Sequence, residues 1–133
     1  MDVRQYPPIK DKWVLKPFKM LLEYDVSYEV TITDQFKSDQ DWCEVSIDVQ
    51  KQYEDYNGGI AFEGKMTSGF KIKNKKKNIT PEMLFDLLKI AGLNFTKSFA
   101  GLVKGTSLEG AKIPRPEFEH YEKYLSQVIR DSK

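Results

Sequence analysis

The feature that most restricts the fold is a run of strict alternation. Between positions 18 and 33 the apolar residues Phe18, Met20, Leu22, Tyr24, Val26, Tyr28, Val30 and Ile32 take every second place. Lys19, Glu23, Asp25, Ser27, Glu29, Thr31 and Thr33 fill the rest, and Leu21 is the one interruption. Side chains of a strand point to opposite faces in turn, so this period predicts a strand with one buried face. At ~3.3 Å per residue the run would span about 53 Å, more than an ordinary strand, and a bend or two paired strands are expected within it. After the polar segment Lys37-Ser38-Asp39-Gln40-Asp41 the alternation resumes as Cys43, Val45, Ile47 and Val49, with Glu44, Ser46, Asp48 and Gln50 between them. Asn57-Gly58-Gly59 supplies residues that tolerate positive φ, as a hairpin turn requires. A third run sets Ile60, Phe62, Met66, Phe70 and Ile72 against Glu63, Lys65, Thr67 and Lys71. An antiparallel meander is expected, with Gly64 and Gly69 marking a bulge or a close approach to the backbone. Ahead of it, residues 1–12 contain Pro7-Pro8, which disfavours regular hydrogen bonding, and read as an extended arm.

The period changes at Thr80. This residue suits a helix N-cap, Pro81 the first helical position and Glu82 the positive end of the helix dipole. Met83, Leu84, Leu87, Leu88, Ala91, Phe95, Phe99 and Leu102 follow helical spacing up to Gly105, a natural left-handed stop. Gly110, Pro114 and Pro116 exclude regular structure from the connection 106–116. A second helix then opens at Glu117, with Phe118, Tyr121, Leu125, Val128 and Ile129 as its inward stripe. The pattern is α+β: an antiparallel sheet, meander or Greek key, followed by two helices packed on one face, in a single domain over residues 1–133.

A chain of 133 residues with 40% hydrophobic content can build a core without disulfides or a structural metal. Its 21 Lys and Arg nearly balance 20 Asp and Glu, so no global field steers it to nucleic acid or an anionic membrane. Cys43 is the only cysteine, which excludes a disulfide framework or a multi-cysteine zinc site and favours a reducing, cytoplasmic home. No stretch approaches the ~20 apolar residues of a membrane span, and the first residues lack the apolar core of a signal peptide.

Chemistry is sparsely represented. The one imidazole, His120, sits in Glu119-His120-Tyr121-Glu122-Lys123 and reads as a solvated helix-face residue. Cys43, on the apolar parity of a strand, reads as a buried structural thiol. Neither metal-ligand spacing nor a phosphate-cradling loop is present, so no catalytic residue, metal or cofactor is expected and the chain is not read as an enzyme. Lys71, Lys73, Lys75, Lys76 and Lys77 form one basic cluster, which lacks Arg and interleaved exposed aromatics and reads as a solvated strand end that resists edge pairing. The apolar inventory, in contrast, exceeds what one small core needs: Ile90, Leu93 and Phe95 join Leu87 and Leu88 on the first helix, and Leu108 and Ile113 lie in the connection. Surplus apolar surface implies a partner, as an oligomer interface, a peptide groove or both.

The order of long antiparallel strands, Gly-interrupted hairpin, long helix, Gly- and Pro-containing crossover and final amphipathic helix resembles the SecB family of protein-export chaperones. The residues that carry it are Trp42-Cys43-Glu44-Val45-Ser46-Ile47-Asp48-Val49, Ser68-Gly69-Phe70-Lys71-Ile72, Ile79-Thr80-Pro81-Glu82-Met83-Leu84-Phe85 and the crossover from Leu108 to Ile113-Pro114-Arg115-Pro116-Glu117-Phe118. The resemblance implies a homotetramer, a dimer of dimers, that holds unfolded or secretory polypeptides in apolar grooves without a nucleotide. Members that deliver clients to the SecA motor are strongly acidic, whereas this chain is neutral and ends in Arg130-Asp131-Ser132-Lys133. Glu63 and, more weakly, Asp11 match part of the motor-facing surface.

The expected function is therefore an ATP-independent holdase. The alternative is a dedicated binding module or chaperone for one partner protein, such as an antitoxin. Phe62, Met66, Phe70, Leu108, Ile113, Phe118 and Tyr121 are the expected client contacts, because methionine and aromatic side chains offer apolar area without insisting on one client shape. Gly92, Leu93, Phe95 and Gly101 are the expected oligomer contacts on the first helix, which is apolar on more than one face.

Overall fold

The computed structural model describes residues 2–16, 21–33, 42–73 and 78–132. Phe18, Met20, the polar segment 37–41 and Lys75 to Lys77 lie outside them. The chain runs through β1 (Asp2–Gln5), β2 (Ile9–Leu15), β3 (Leu21–Glu23), β4 (Ser27–Thr33), β5 (Trp42–Asp55), β6 (Ile60–Lys73), α1 (Pro81–Val103) and α2 (Phe118–Ser132). The strands form one six-stranded antiparallel sheet.

At its centre β5 and β6 make a long hairpin, in which Cys43 pairs with Ile72, Val45 with Phe70, Val49 with Met66 and Tyr53 with Phe62. Gly58, at φ 95°, turns the chain between them. Because register and alternation agree, these apolar residues all lie on the helix-facing side, while Glu44, Ser46, Asp48 and Gln50 face the other way. The long alternating run breaks at residues 24–26 into β3 and β4, both paired with β5, so it contains a bend.

The N-terminal arm is not an arm. β1 and β2 both pair with β6, Val3 opposite Ile72 and Leu15 opposite Phe62, so the meander gains further strands on its free edge. Pro7-Pro8 interrupts pairing only between these strands, because an edge strand bonds its neighbour on one side and tolerates a missing donor. Tyr6 N still donates to Gly69 O at 2.9 Å. The close approach expected at the two strand glycines is present: a Cβ on Gly69 would lie 3.2 Å from the Tyr6 ring, and one on Gly64 would lie 3.3 Å from Trp13.

Thr80 caps α1, its hydroxyl accepting from Met83 N at 3.3 Å. The helix lays Leu84, Leu87, Leu88, Ala91, Phe95 and Phe99 on β5 and β6, and Gly105, at φ 77°, follows its end. Leu102, expected in this stripe, is exposed, and Val103 takes the buried place. α2 packs against α1 and β4, burying Leu125 and Ile129. Its Tyr124 hydroxyl accepts from Val30 N at 2.8 Å, which occupies an edge donor of β4. Two polar residues on the inner face are also satisfied. Ser68 accepts from Asn94 Nδ2 at 3.3 Å, and Lys51, 1% exposed, reaches Glu23 Oε1 at 2.8 Å and the Tyr24 carbonyl. Among the described residues no helix is long and apolar enough to cross a membrane.

Candidate functional site

Two hollows flank the segment Pro114-Arg115-Pro116, where the crossover runs beside α1. The first, of about 290 Å³, has α1 as one wall, through Lys89, Gly92, Leu93 and Thr96, and Ile113 to Pro116 as the other. The second, of about 250 Å³, lies between the same segment, Asp25 and Val26, and the start of α2 at Glu117, His120 and Tyr121. Tyr28 of β4 lines both. Together they form a groove divided by a proline-bounded ridge.

Local sequence explains each wall. Alternation in β4 turns Tyr28 inward beside Val30 and Ile32, where its ring meets Tyr121 edge-on at 5.4 Å. Gly92 makes room for it: a Cβ there would sit 2.8 Å from the Tyr28 hydroxyl oxygen. Leu93, one residue further round α1, falls off the inward stripe and is 50% exposed. Leu108 and Ile113 are buried anchors on either side of the left-handed Gly110. Beyond Ile113 the prolines cannot donate backbone hydrogen bonds and leave apolar rings at the surface.

Burial and the neighbouring Tyr121 phenol push the Tyr28 hydroxyl up to about 12, so it is a neutral donor at ordinary pH. Tyr121 is raised as well, by burial and then by the charge of Asp25. Lys89 and Arg115 stand on the rim of the first hollow, with Lys89 3.3 Å from Asp86. His120 is exposed, with Nδ1 3.8 Å from Glu117 Oε2. Cys43 is buried among the strand side chains. Among the described residues no three His, Cys, Asp or Glu side chains gather as metal ligands.

Of the residues expected to contact clients, Ile113 and Tyr121 line the groove. Phe62, Met66 and Phe70, at 0%, 2% and 0% exposure, are sealed in the core, and Leu108 is buried with them. They are corrected from contact to core residues: α1 covers their side of the sheet, and the strand pattern alone carried no sign of that cover. Phe118 packs edge-on against Phe85 at 5.3 Å and lines neither hollow.

The oligomer contacts divide in the same way. Gly92 and Phe95 face inward, the first against Tyr28 and the second against Trp13 at 5.1 Å, so neither is open to a second copy. Leu93 and Gly101 face outward, and a Cβ on Gly101 would meet nothing within 4 Å. Glu63 is only 9% exposed and lies 3.1 Å from the largely exposed Lys12. Asp11 is exposed, 3.1 Å from the Thr67 hydroxyl. Sequence reasoning missed Tyr28 and the exposed faces of Pro114 and Pro116 as groove residues. The available signals were an apolar residue off the helical stripe, Leu93, and a Pro-Arg-Pro segment following a buried isoleucine.

No family model matches the chain, and no curated relative matches it. Among solved structures, the fold is similar to that of Mycobacterium tuberculosis Rv1957, a SecB-like chaperone in complex with a ChAD peptide from the Rv1956 HigA1 antitoxin. The TM-score is 0.46 at 13% identity, over 88% of each chain.

Proposed function

We propose that this protein is an ATP-independent holdase chaperone that takes apolar segments of unfolded or secretory polypeptides into the groove between α1 and the crossover. The observation that carries the reading is that groove: an open hollow of about 290 Å³, walled by Leu93, Ile113, Pro114 and Pro116, while most other large apolar side chains among the described residues are sealed in one core. The resemblance of strand, helix-entry and crossover segments to the SecB family supports it independently. A shallow apolar groove suits weak contacts repeated along one client, and several copies of the chain would multiply them. A homotetramer provides those copies, with the outward face of α1 around Gly101, away from the groove, at a subunit contact. Residues 1–133 would act as one domain of a cytoplasmic protein, with neither a cofactor nor a catalytic residue. Motor docking is not part of the reading, since the chain is neutral rather than strongly acidic.

The test is suppression of aggregation of two unrelated unfolded proteins at stoichiometric amounts without ATP. Protection of both supports a general holdase. Protection of neither, with tight binding of a single partner, would assign the groove to a dedicated module instead.

A further inference from the structure

The Tyr28 hydroxyl is the one buried side-chain oxygen or nitrogen among the described residues without a hydrogen-bond partner. Native interiors pair nearly all such groups, so an orphan needs a reason. Tyr28 is 9% exposed, lines both hollows and rests against Gly92. What overlies it is weakly held: from Lys112 to Pro116 the crossover makes no backbone–backbone hydrogen bond among the described residues, and Ile113 is its buried anchor. A segment with so few bonds shifts at low cost.

We propose that Tyr28 is a client-binding residue of the groove, whose hydroxyl donates to a main-chain carbonyl of an extended apolar client segment when the Pro114–Pro116 ridge gives way. This rests on the groove reading and adds to it the chemistry of recognition. An acceptor is what an unpaired buried donor lacks, and every extended segment carries carbonyls regardless of sequence. The apolar walls select the flanking side chains.

The experiment uses the full chain and a fluorescein-labelled unstructured peptide of alternating Leu, Phe and Ser residues. Its affinity and the protein's melting temperature are measured for the native protein, Tyr28→Phe and Leu93→Asp. Phenylalanine keeps the ring and removes the orphan oxygen, so the melting temperature should hold or rise. Peptide affinity should nonetheless fall about 2- to 13-fold, the range of one net hydrogen bond. Replacing single peptide carbonyl oxygens by sulfur should weaken binding to the native protein at one position and leave Tyr28→Phe unaffected there. Unchanged affinity in Tyr28→Phe, with loss in Leu93→Asp, overturns the hydroxyl's role and keeps the groove. A lowered melting temperature with unchanged affinity gives the hydroxyl a structural role and also overturns the proposal. Unchanged affinity in both variants removes the groove reading and this inference with it.

Discussion

The inner face of β6 and the wall of α1 beside the crossover are built from similar residues and have opposite fates. Phe62, Met66 and Phe70 look like adaptable contact residues, yet they are sealed beneath α1, with Phe62 edge-on to Phe99 at 5.0 Å. Leu93 reads as an oligomer contact and Pro114 and Pro116 as breaks in regular structure, yet together they wall a groove. Residue type does not separate core from contact surface here. What separates them is whether a second layer lands on that face, and α1 lands on the sheet while nothing among the described residues lands on Leu93.

The largest effect that sharpens this contrast is on stability. Phe62→Ala removes a ring packed against Trp13, Tyr53 and Phe99, and denaturant unfolding should show a loss of about 3–5 kcal/mol. A loss below ~1 kcal/mol would return Phe62 to the list of open contacts.

A somewhat smaller effect depends on pH. Burial pushes both Tyr28 and Tyr53 up to about 12, with the Glu23 charge and hydrogen bond adding to Tyr53. Raised folded values mean that the unfolded chain loses these protons first. Stability is therefore fully present below about pH 10 and falls as pH rises from there towards 12. Unfolding at about pH 9 and about pH 11.5 should show a shallower fall in Tyr53→Phe than in the native protein. An equal fall in the two would mean that Tyr53 is not in the sealed layer.

Gly92 and Gly101 carry the contrast onto one helix. Gly92→Ala places a methyl 2.8 Å from the Tyr28 hydroxyl oxygen, and thermal unfolding should show a cost of about 1–2 kcal/mol, mostly relieved when Tyr28→Phe is combined with it. Gly101→Ala meets nothing within 4 Å and should stabilise the helix by about 0.5–1 kcal/mol. If that variant also lowers the assembled mass in light scattering, the outward face of α1 is the subunit contact. The smallest effect on stability is at Leu93→Asp, which should stay within about 0.5 kcal/mol of the native protein.

The sheet was largely legible because alternation with a period of two needs no knowledge of the partner strand. It placed Cys43, Val45, Ile47 and Val49 correctly, and Thr80-Pro81 marked the start of α1. The N-terminal strands were misread because Pro7-Pro8 outweighed Ile9 to Leu15, whose own alternation is poor: only its last residues turn towards the core. Lys51 was missed for a related reason. Its inward parity is plain from Val49 and Tyr53, but the salt bridge to Glu23 that makes a buried lysine tolerable comes from another strand. The groove was half legible, through Ile113 and Tyr121, because sequence shows where apolar residues are and not which of them a neighbouring helix covers. Gly92 shows the same limit: its small size did signal close packing, but the packed neighbour is Tyr28 of the same chain.

The most direct measurement of the central claim asks where an unfolded client touches the protein. A photo-crosslinking residue is placed at Leu93, on the groove wall, and in a second variant at Thr31, on the exposed opposite face of the sheet. Each is mixed with the labelled Leu/Phe/Ser peptide, irradiated and read by gel and mass spectrometry. The groove account predicts strong capture from position 93, competed by excess unlabelled peptide, and little from position 31. Equal capture from both positions, or capture from position 31 alone, would contradict it.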